Sequence, residues 1–270
     1  MKLWLSRASL WALLGCLAGQ AQAGTVIQQV ERAVGNNQSR QSVTIYIDAG
    51  KLRVEGEAPG SGKYVVIFDH ARQVMQMADL ARNSYLEITK AQIEAMANQM
   101  QAMMQQMQQA MAQVPPEQRA MMEQMMRGRL GGAAAPPPQI TVRDKASSGT
   151  VGQFTCKKYD ILTNGQVSSE VCAAPPAQLQ LDPSAFETFK ALAEFYEPMR
   201  RIAPQSGGWS APNAMNQIDG FPVQTILYEG GRPSSEWVLQ SAEQRPLDAA
   251  LFTLPPNLRK TELPQMPQGR

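Results

Sequence analysis

The sequence predicts a mainly β protein of the α+β class, a curved antiparallel sheet or incomplete barrel covered by a Met-rich helical hairpin and a second helix. Three observations carry this reading. Between Gln41 and Ile88, five short runs alternate apolar and polar residues at about ten-residue spacing, the texture of an antiparallel meander. At Thr89 the composition switches to Met, Gln and Ala, with apolar residues recurring at three and four, the helical spacing. After Gln139 strand-like alternation returns, broken once by the amphipathic stretch "LDPSAFETFKALAEFYEP".

The chain opens on "MKLWLSRASLWALLGCLAGQAQAG", with Lys2 and Arg7 ahead of an apolar run from Ala8 to Ala18 and small residues at Ala21 and Ala23. This is the layout of a secretory signal peptide over residues 1–23, cleaved after Ala23, and it gives a periplasmic expectation. A second reading takes "LLGC" as a lipobox with lipidation at Cys16, but the good cleavage site beyond it favours removal of that cysteine. The apolar run is too short for a stable span, and no later segment is long and apolar enough, so no transmembrane segment is expected in the mature chain. Removing Lys2 and Arg7 from the 25 basic residues leaves them equal to the 23 acidic ones. A balanced charge excludes electrostatic recruitment of nucleic acid or anionic lipid.

Residues 24–260 then read as one domain, with a helical insert over 89–128, a linker over 129–138 and a loose tail over 261–270. The opening "TVIQQVERAV" suits either period, and the preference is for a strand. Next come "SVTIYI", in which Val43, Ile45 and Ile47 alternate, then "KLRVEG", "KYVVIFD", "QVMQMAD" and "SYLEI". Thr89 and Gln92 match a capping box ahead of Ile93, Met96, Met100, Met103, Met107 and Met111. Pro115 and Pro116 break that helix, and "PEQRAMMEQMMRG" makes a second, ended by Gly128. In the later amphipathic stretch Asp182 can cap, Pro183 can take the first helical position, and Ala185, Phe186, Phe189, Leu192, Ala193 and Tyr196 form one face. Pro222 inside "FPVQTILYEGG" marks an edge or a bulge.

After cleavage only Cys156 and Cys172 remain, and an exported chain with two cysteines most simply pairs them. They flank Asn164-Gly165, a hairpin signal. A two-residue turn there leaves the cysteines one position out of register, whereas a three-residue loop, Thr163 to Gly165 with Gly165 left-handed, sets them opposite each other. The bond reads as a staple rather than a redox centre, since no CxxC spacing is present.

Ten of the sixteen methionines lie between Met96 and Met126. Met96, Met100, Met103, Met107, Met111, Met121 and Met125 form the candidate apolar lid, with packing against the sheet as the plainer role for the same face. Thioether sulfur is also a soft ligand for Cu(I), although no His or Cys accompanies it and no metal or cofactor is expected. Catalytic chemistry finds little support. His70 reads as a solvated turn residue, and "GEAPGSGKY" fails as a phosphate loop because Gly56 to Gly62 is one residue too long, it joins two strands, and Tyr64 stands where Ser or Thr should hold magnesium. Asp48, Asp69 and Asp79 are the acids whose convergence the sequence leaves open.

Taken together, "KLRVEG", "VVIFDHARQVMQMADLARNSYLEI", the Met/Gln insert, "GQFTCKKYDILTNGQVSSEVCAA" and "GFPVQTILYEGG…LDAALFTLPPNLRK" resemble a bacterial envelope family of unknown function, DUF4412. That resemblance implies a fold akin to the outer-membrane lipoprotein carriers, with helices closing the open side of a curved sheet over an apolar cavity for acyl chains. It supplies no catalytic residue. It therefore implies a non-enzymatic periplasmic binding protein for a hydrophobic or lipid-like moiety, with a lipid or lipoprotein acyl chain as partner. The competing expectations are an interaction module with a packed core that meets an envelope protein, and a soft-metal binder. Arg53, Arg72 and Arg143 are the arginines available near the cavity strands to grip a headgroup.

Overall fold

The structure, a computed structural model, describes residues 23–36, 39–58, 60, 62–112, 139–179, 181–202 and 217–262. The expected signal peptide, second Met-rich helix and linker lie outside the described residues, as do Met121 and Met125.

Twelve strands form one open, curved sheet rather than a closed barrel. The first wing is a meander: β1 (Gly24–Ala33), β2 (Ser39–Asp48), β3 (Lys51–Ala58), β4 (Gly62–Asp69), β5 (Val74–Asp79) and β6 (Ser84–Thr89). Helix α1 (Lys90–Ala112) follows at once. The second wing holds β7 (Ile140–Val151), β8 (Phe154–Thr163) and β9 (Gln166–Ala174), then the short α2 (Pro176–Leu179) and α3 (Pro183–Ile202), and finally β10 (Phe221–Glu229) and β11 (Arg232–Arg245). A 3-10 turn (Ala249–Phe252) leads to β12 (Arg259–Thr261). The order across the sheet is β12-β6-β5-β4-β3-β2-β1-β11-β10-β9-β8-β7. Every neighbouring pair is antiparallel except β12 with β6.

The opening segment is a strand, and a central one. β1 pairs with β2 on one side and β11 on the other, so it joins the two wings. Such a position removes it from the sheet edge, and it needs near-continuous burial: Gly24 to Ile27 are all buried.

Two turns in the first wing repeat one design ten positions apart. In "DHARQ" the Asp69 carboxylate accepts from the Arg72 amide, and in "DLARN" Asp79 accepts from the Arg82 amide, both at 3.0 Å. Gln73 and Asn83 then take positive φ, 52° and 51°, to re-enter the strand. The β4–β5 and β5–β6 turns lie at opposite ends of β5, so Asp69 and Asp79 do not converge.

The Cys156–Cys172 bond is formed, with the Cα atoms 5.3 Å apart. The hairpin beneath it differs from the expected three-residue loop. Asn164 and Gly165 form a two-residue turn with both φ positive, 53° and 80°, pairing Thr163 with Gln166. A bulge opposite Ile161 and Leu162 then absorbs Ser168, so Cys172 stands opposite Lys158 and the disulfide runs diagonally to Cys156. The turn takes its own preferred geometry, and the strand corrects the register. A bulge also accommodates Pro222, between β10 and β9.

Both helices start as their caps dictate. Thr89 and Gln92 exchange hydrogen bonds, amide to side chain in each direction, at 2.8 and 3.2 Å. The Asp182 carboxylate accepts from the Ser184 amide at 2.7 Å ahead of α3. The buried side of α3 is Ala185, Thr188, Ala191, Leu192 and Phe195, turned slightly from the expected face, so that Phe186, Phe189 and Tyr196 are only partly buried.

Candidate functional site

The strands of the first wing sort their side chains into an inner face, covered by helices, and an outer face, because successive residues point to opposite sides. Outside, Val65, Ile67 and Ala78 are sealed by Leu254 and Leu258 of the C-terminal segment. Inside, cross-strand register stacks three rows that change character along the strands.

The first row, Ile47, Leu52, Phe68 and Met75, is closed off, each residue 2% exposed or less. Helix α3 seals it: the Phe195 ring meets Phe68 edge-on with centroids 5.3 Å apart, and the Tyr196 hydroxyl donates to the Met75 sulfur at 2.7 Å. Burial pushes the Tyr196 phenol up to about 12.

The second row, Ile45, Val54, Val66, Met77 and Leu86, is aligned by the same register yet only half-buried. Ile45, Val54, Val66 and Met77 touch the core along one side. Across five strands this apolar row runs roughly 19 Å.

The third row is a polar rim. Val43 is still apolar, but beyond it come Gly56, Tyr64, Asp79 and Ser84 in register. Gln41 donates to the Tyr64 hydroxyl at 3.1 Å, and burial raises the Tyr64 phenol above its ordinary value. The inner face of the first wing thus passes from dry core to half-open apolar strip to polar lip.

On the second wing the inner face is polar beyond the disulfide. Lys158, Asp160 and Glu170 follow the cysteines at alternate positions, and Arg143 and Lys145 join them from β7. Asp160 takes Arg143 and Lys145, while Glu170 takes Lys145 and Lys158, so each of these cations has a carboxylate. The Lys145 ammonium is held above its usual value chiefly by its hydrogen bond to Glu170. A further cleft of about 400 Å³ lies between α1 and α3, lined by Lys90, Glu94, Asn98, Glu194, Glu197 and Pro198. Its lining is polar.

The Met-rich face divides. Helix α1 lies against α3 and β6, and its fully buried residues are Ile93 and Ala97. Met96 and Met100 are half-buried at the margin of that contact, whereas Met103 is 55% exposed. The side chains of Met107 and Met111 lie outside the described set. Burial thus follows Ile93 and Ala97, one helical turn apart, instead of the sulfur-bearing stripe, because a small residue lets α1 approach α3 closely. Of the arginines singled out as headgroup grips, two lie away from the inner face and the third, on the inner face of the second wing, is already paired. Arg53 faces outward and donates to the Leu251 and Thr253 carbonyls at 2.7 and 3.2 Å, Arg72 sits in an exposed turn, and Arg143 is bound to Asp160. His70 is exposed in the same turn as Arg72.

The half-buried row is what sequence reasoning missed. Its signal was present in the alternation of "SVTIYI", "KLRVEG" and "KYVVIFD", but alternation gives the face and not how far along a strand the covering helices extend.

Among the described residues no helix is long and apolar enough to cross a membrane, and no group of three or more His, Cys, Asp or Glu is placed to hold a metal ion. Comparison with curated protein sequences returned no match. Among solved structures, PNGF-II in its C2 crystal form is 12% identical with a TM-score of 0.40, covering 89% of this chain and 31% of that one. Its P21 form is 13% identical with a TM-score of 0.37, covering 90% and 32%, so this chain spans less than a third of PNGF-II. The MucA/MucB complex of Pseudomonas aeruginosa is 8% identical with a TM-score of 0.36, covering 92% of this chain and 63% of that one. The profile of the domain of unknown function DUF4412 matches residues 89–258, the whole second wing together with both long helices, and the chain belongs to that family.

Proposed function

We propose that this is an exported, non-catalytic binding protein that holds an acyl chain along the half-buried row Ile45, Val54, Val66, Met77 and Leu86. The observation that carries the reading is the gradient on the inner face. A sheet that only needed a core would end its apolar side chains where the helices end, yet here one further aligned row continues beside the dry one before the polar rim begins. A chain laid along it would bury that row at about 25 cal/mol for each Å² removed from water. The leader-like start and the disulfide support export, since such bonds persist in oxidising compartments.

The test is binding of Nile red, a neutral dye that brightens in apolar surroundings, to the full mature chain. Val66→Glu places a carboxylate in the middle of the row and is expected to abolish the brightening, with circular dichroism confirming the fold. Tyr46→Glu, on the outer face of β2, is the control and should bind dye normally. Equal dye binding by wild type and Val66→Glu rejects the reading.

One observation favours a second reading, an envelope protein partner. Residues 95 to 112 of α1 carry no charge, and Met103 is exposed among Gln101, Ala102, Gln105 and Gln106. Such a surface meets a protein more readily than water.

A further inference from the structure

Strand β5 carries two methionines two residues apart, Met75 and Met77, and alternation puts both on the inner face of the first wing. Their surroundings differ. Met75 is 1% exposed beneath α3, between Phe68 and Ile88 on the flanking strands, and its sulfur accepts from the Tyr196 hydroxyl. Met77 stands between Val66 and Leu86 in the half-buried row, where water reaches the side chain.

A thioether that water reaches is also within reach of hydrogen peroxide, a small neutral oxidant. The sulfur lone pair attacks one peroxide oxygen, the S–O bond forms as the O–O bond breaks, and a proton transfer turns the departing hydroxide into water. Sulfur gives two electrons to the peroxide, and the product is methionine sulfoxide, a polar group on a side chain that was apolar. The return step takes a dithiol reductase, whose two thiols become a disulfide while the oxygen leaves as water.

Position decides what the change does. A sulfoxide on Met103, 55% exposed on α1, adds a polar group to a surface already in water. At Met77 the new oxygen stands inside the row with an apolar neighbour on either strand. An acyl chain laid across it must strip water from the sulfoxide and has no proton to donate in return, which is costly.

We infer that Met77 is an oxidation site through which peroxide closes the groove to acyl chains, while α3 protects Met75 two residues away. The consequence for binding rests on the acyl-binding reading above, and the site of oxidation does not.

The experiment treats the full mature chain with hydrogen peroxide and locates the added oxygen by fragmentation mass spectrometry, which separates Met75 from Met77. Met77 is expected to gain oxygen in the native chain, and Met75 only after denaturant is added. Nile red is then expected to bind the oxidised chain at least about tenfold more weakly. Met77→Leu conserves volume and is expected to keep its dye binding through the same treatment, because Met96, Met100, Met103 and Met199 lie outside the row. Met77→Gln, which sets an amide where the sulfoxide would be, should bind dye as weakly as oxidised wild type with no peroxide added, circular dichroism confirming each fold. Equal oxidation of Met75 and Met77 in the native chain, undiminished dye binding once Met77 is oxidised, or an equal loss in oxidised Met77→Leu overturns the inference. Untreated wild type that binds no dye, or Val66→Glu that still binds it, rejects the acyl reading instead, and the mass map then still decides the oxidation site.

Discussion

The ring of Tyr64 lies flat over Gly56 on the neighbouring strand: a Cβ built on Gly56 would stand 2.4 Å from the Tyr64 hydroxyl oxygen and 2.5 Å from the carbon that bears it. The two residues are cross-strand partners, so the glycine exists to let an aromatic ring cover backbone at the rim. Gly56→Ala is expected to swing the ring outward, break the bond from Gln41 and cost about 1 kcal/mol, as overpacked sites do. A denaturant midpoint that does not move in Gly56→Ala, or that moves equally when Tyr64→Ala has already removed the ring, would show that the ring has room to spare.

Tyr196 ties α3 to the dry row, and its phenol, ordinarily near 10, is raised to about 12 by burial. The folded chain keeps this proton where the unfolded chain releases it, so the stabilisation is whole below pH 10 and is lost as pH climbs toward about 12. Across that window the loss is on the order of 2 kcal/mol. Urea midpoints compared between wild type and Tyr196→Phe should therefore converge with rising alkalinity. Parallel curves would mean that the phenol ionises in the folded state as it does in the unfolded one.

The disulfide closes sixteen positions of chain, with both sulfurs buried. Joining Cys156 to Cys172 in the unfolded chain removes loop entropy worth about 3 kcal/mol, and Cys156→Ser with Cys172→Ser should lose about that much. Burial also makes the bond slow to reduce in the native state. Alkylation after mild thiol treatment should appear only when denaturant is added, and rapid labelling of the folded chain would contradict the packing around Gly149 and Phe154.

How far these features were legible follows from the range over which each is encoded. The capping box at Thr89 and Gln92, the Asp182 cap, the bulge at Pro222 and the cysteine pair are local, and each appears where its residues place it. The hairpin register was misread because the turn and the disulfide make competing local demands, and the compromise, a bulge at Ser168, has no sequence signature of its own. The half-buried row depended on how far α1 and α3 cover the sheet, which is a matter of tertiary packing and not of the local pattern of any strand. The central place of β1 is longer-ranged still, since its partner β11 lies some two hundred residues away.

The methionines of α1 allow a decision between oil and metal. Met100 is half-buried and Met103 exposed, so neither is a deep core residue whose loss would unfold the chain. Replacing Met100, Met103 and Met107 together by Leu conserves volume and should cost under about 1.5 kcal/mol. If the helix serves as packing or as the margin of an acyl groove, Nile red binding survives with little change, because Leu offers the same apolar surface. If instead the sulfurs hold a soft ion, Cu(I) affinity measured by competition with a colorimetric chelator must fall in the triple variant, since Leu has no lone pair to give. The expected outcome is unchanged dye binding with no loss of Cu(I) affinity beyond what wild type displays. A wild-type chain that holds Cu(I) tightly and a variant that does not would move the function of this helix from shelter to coordination.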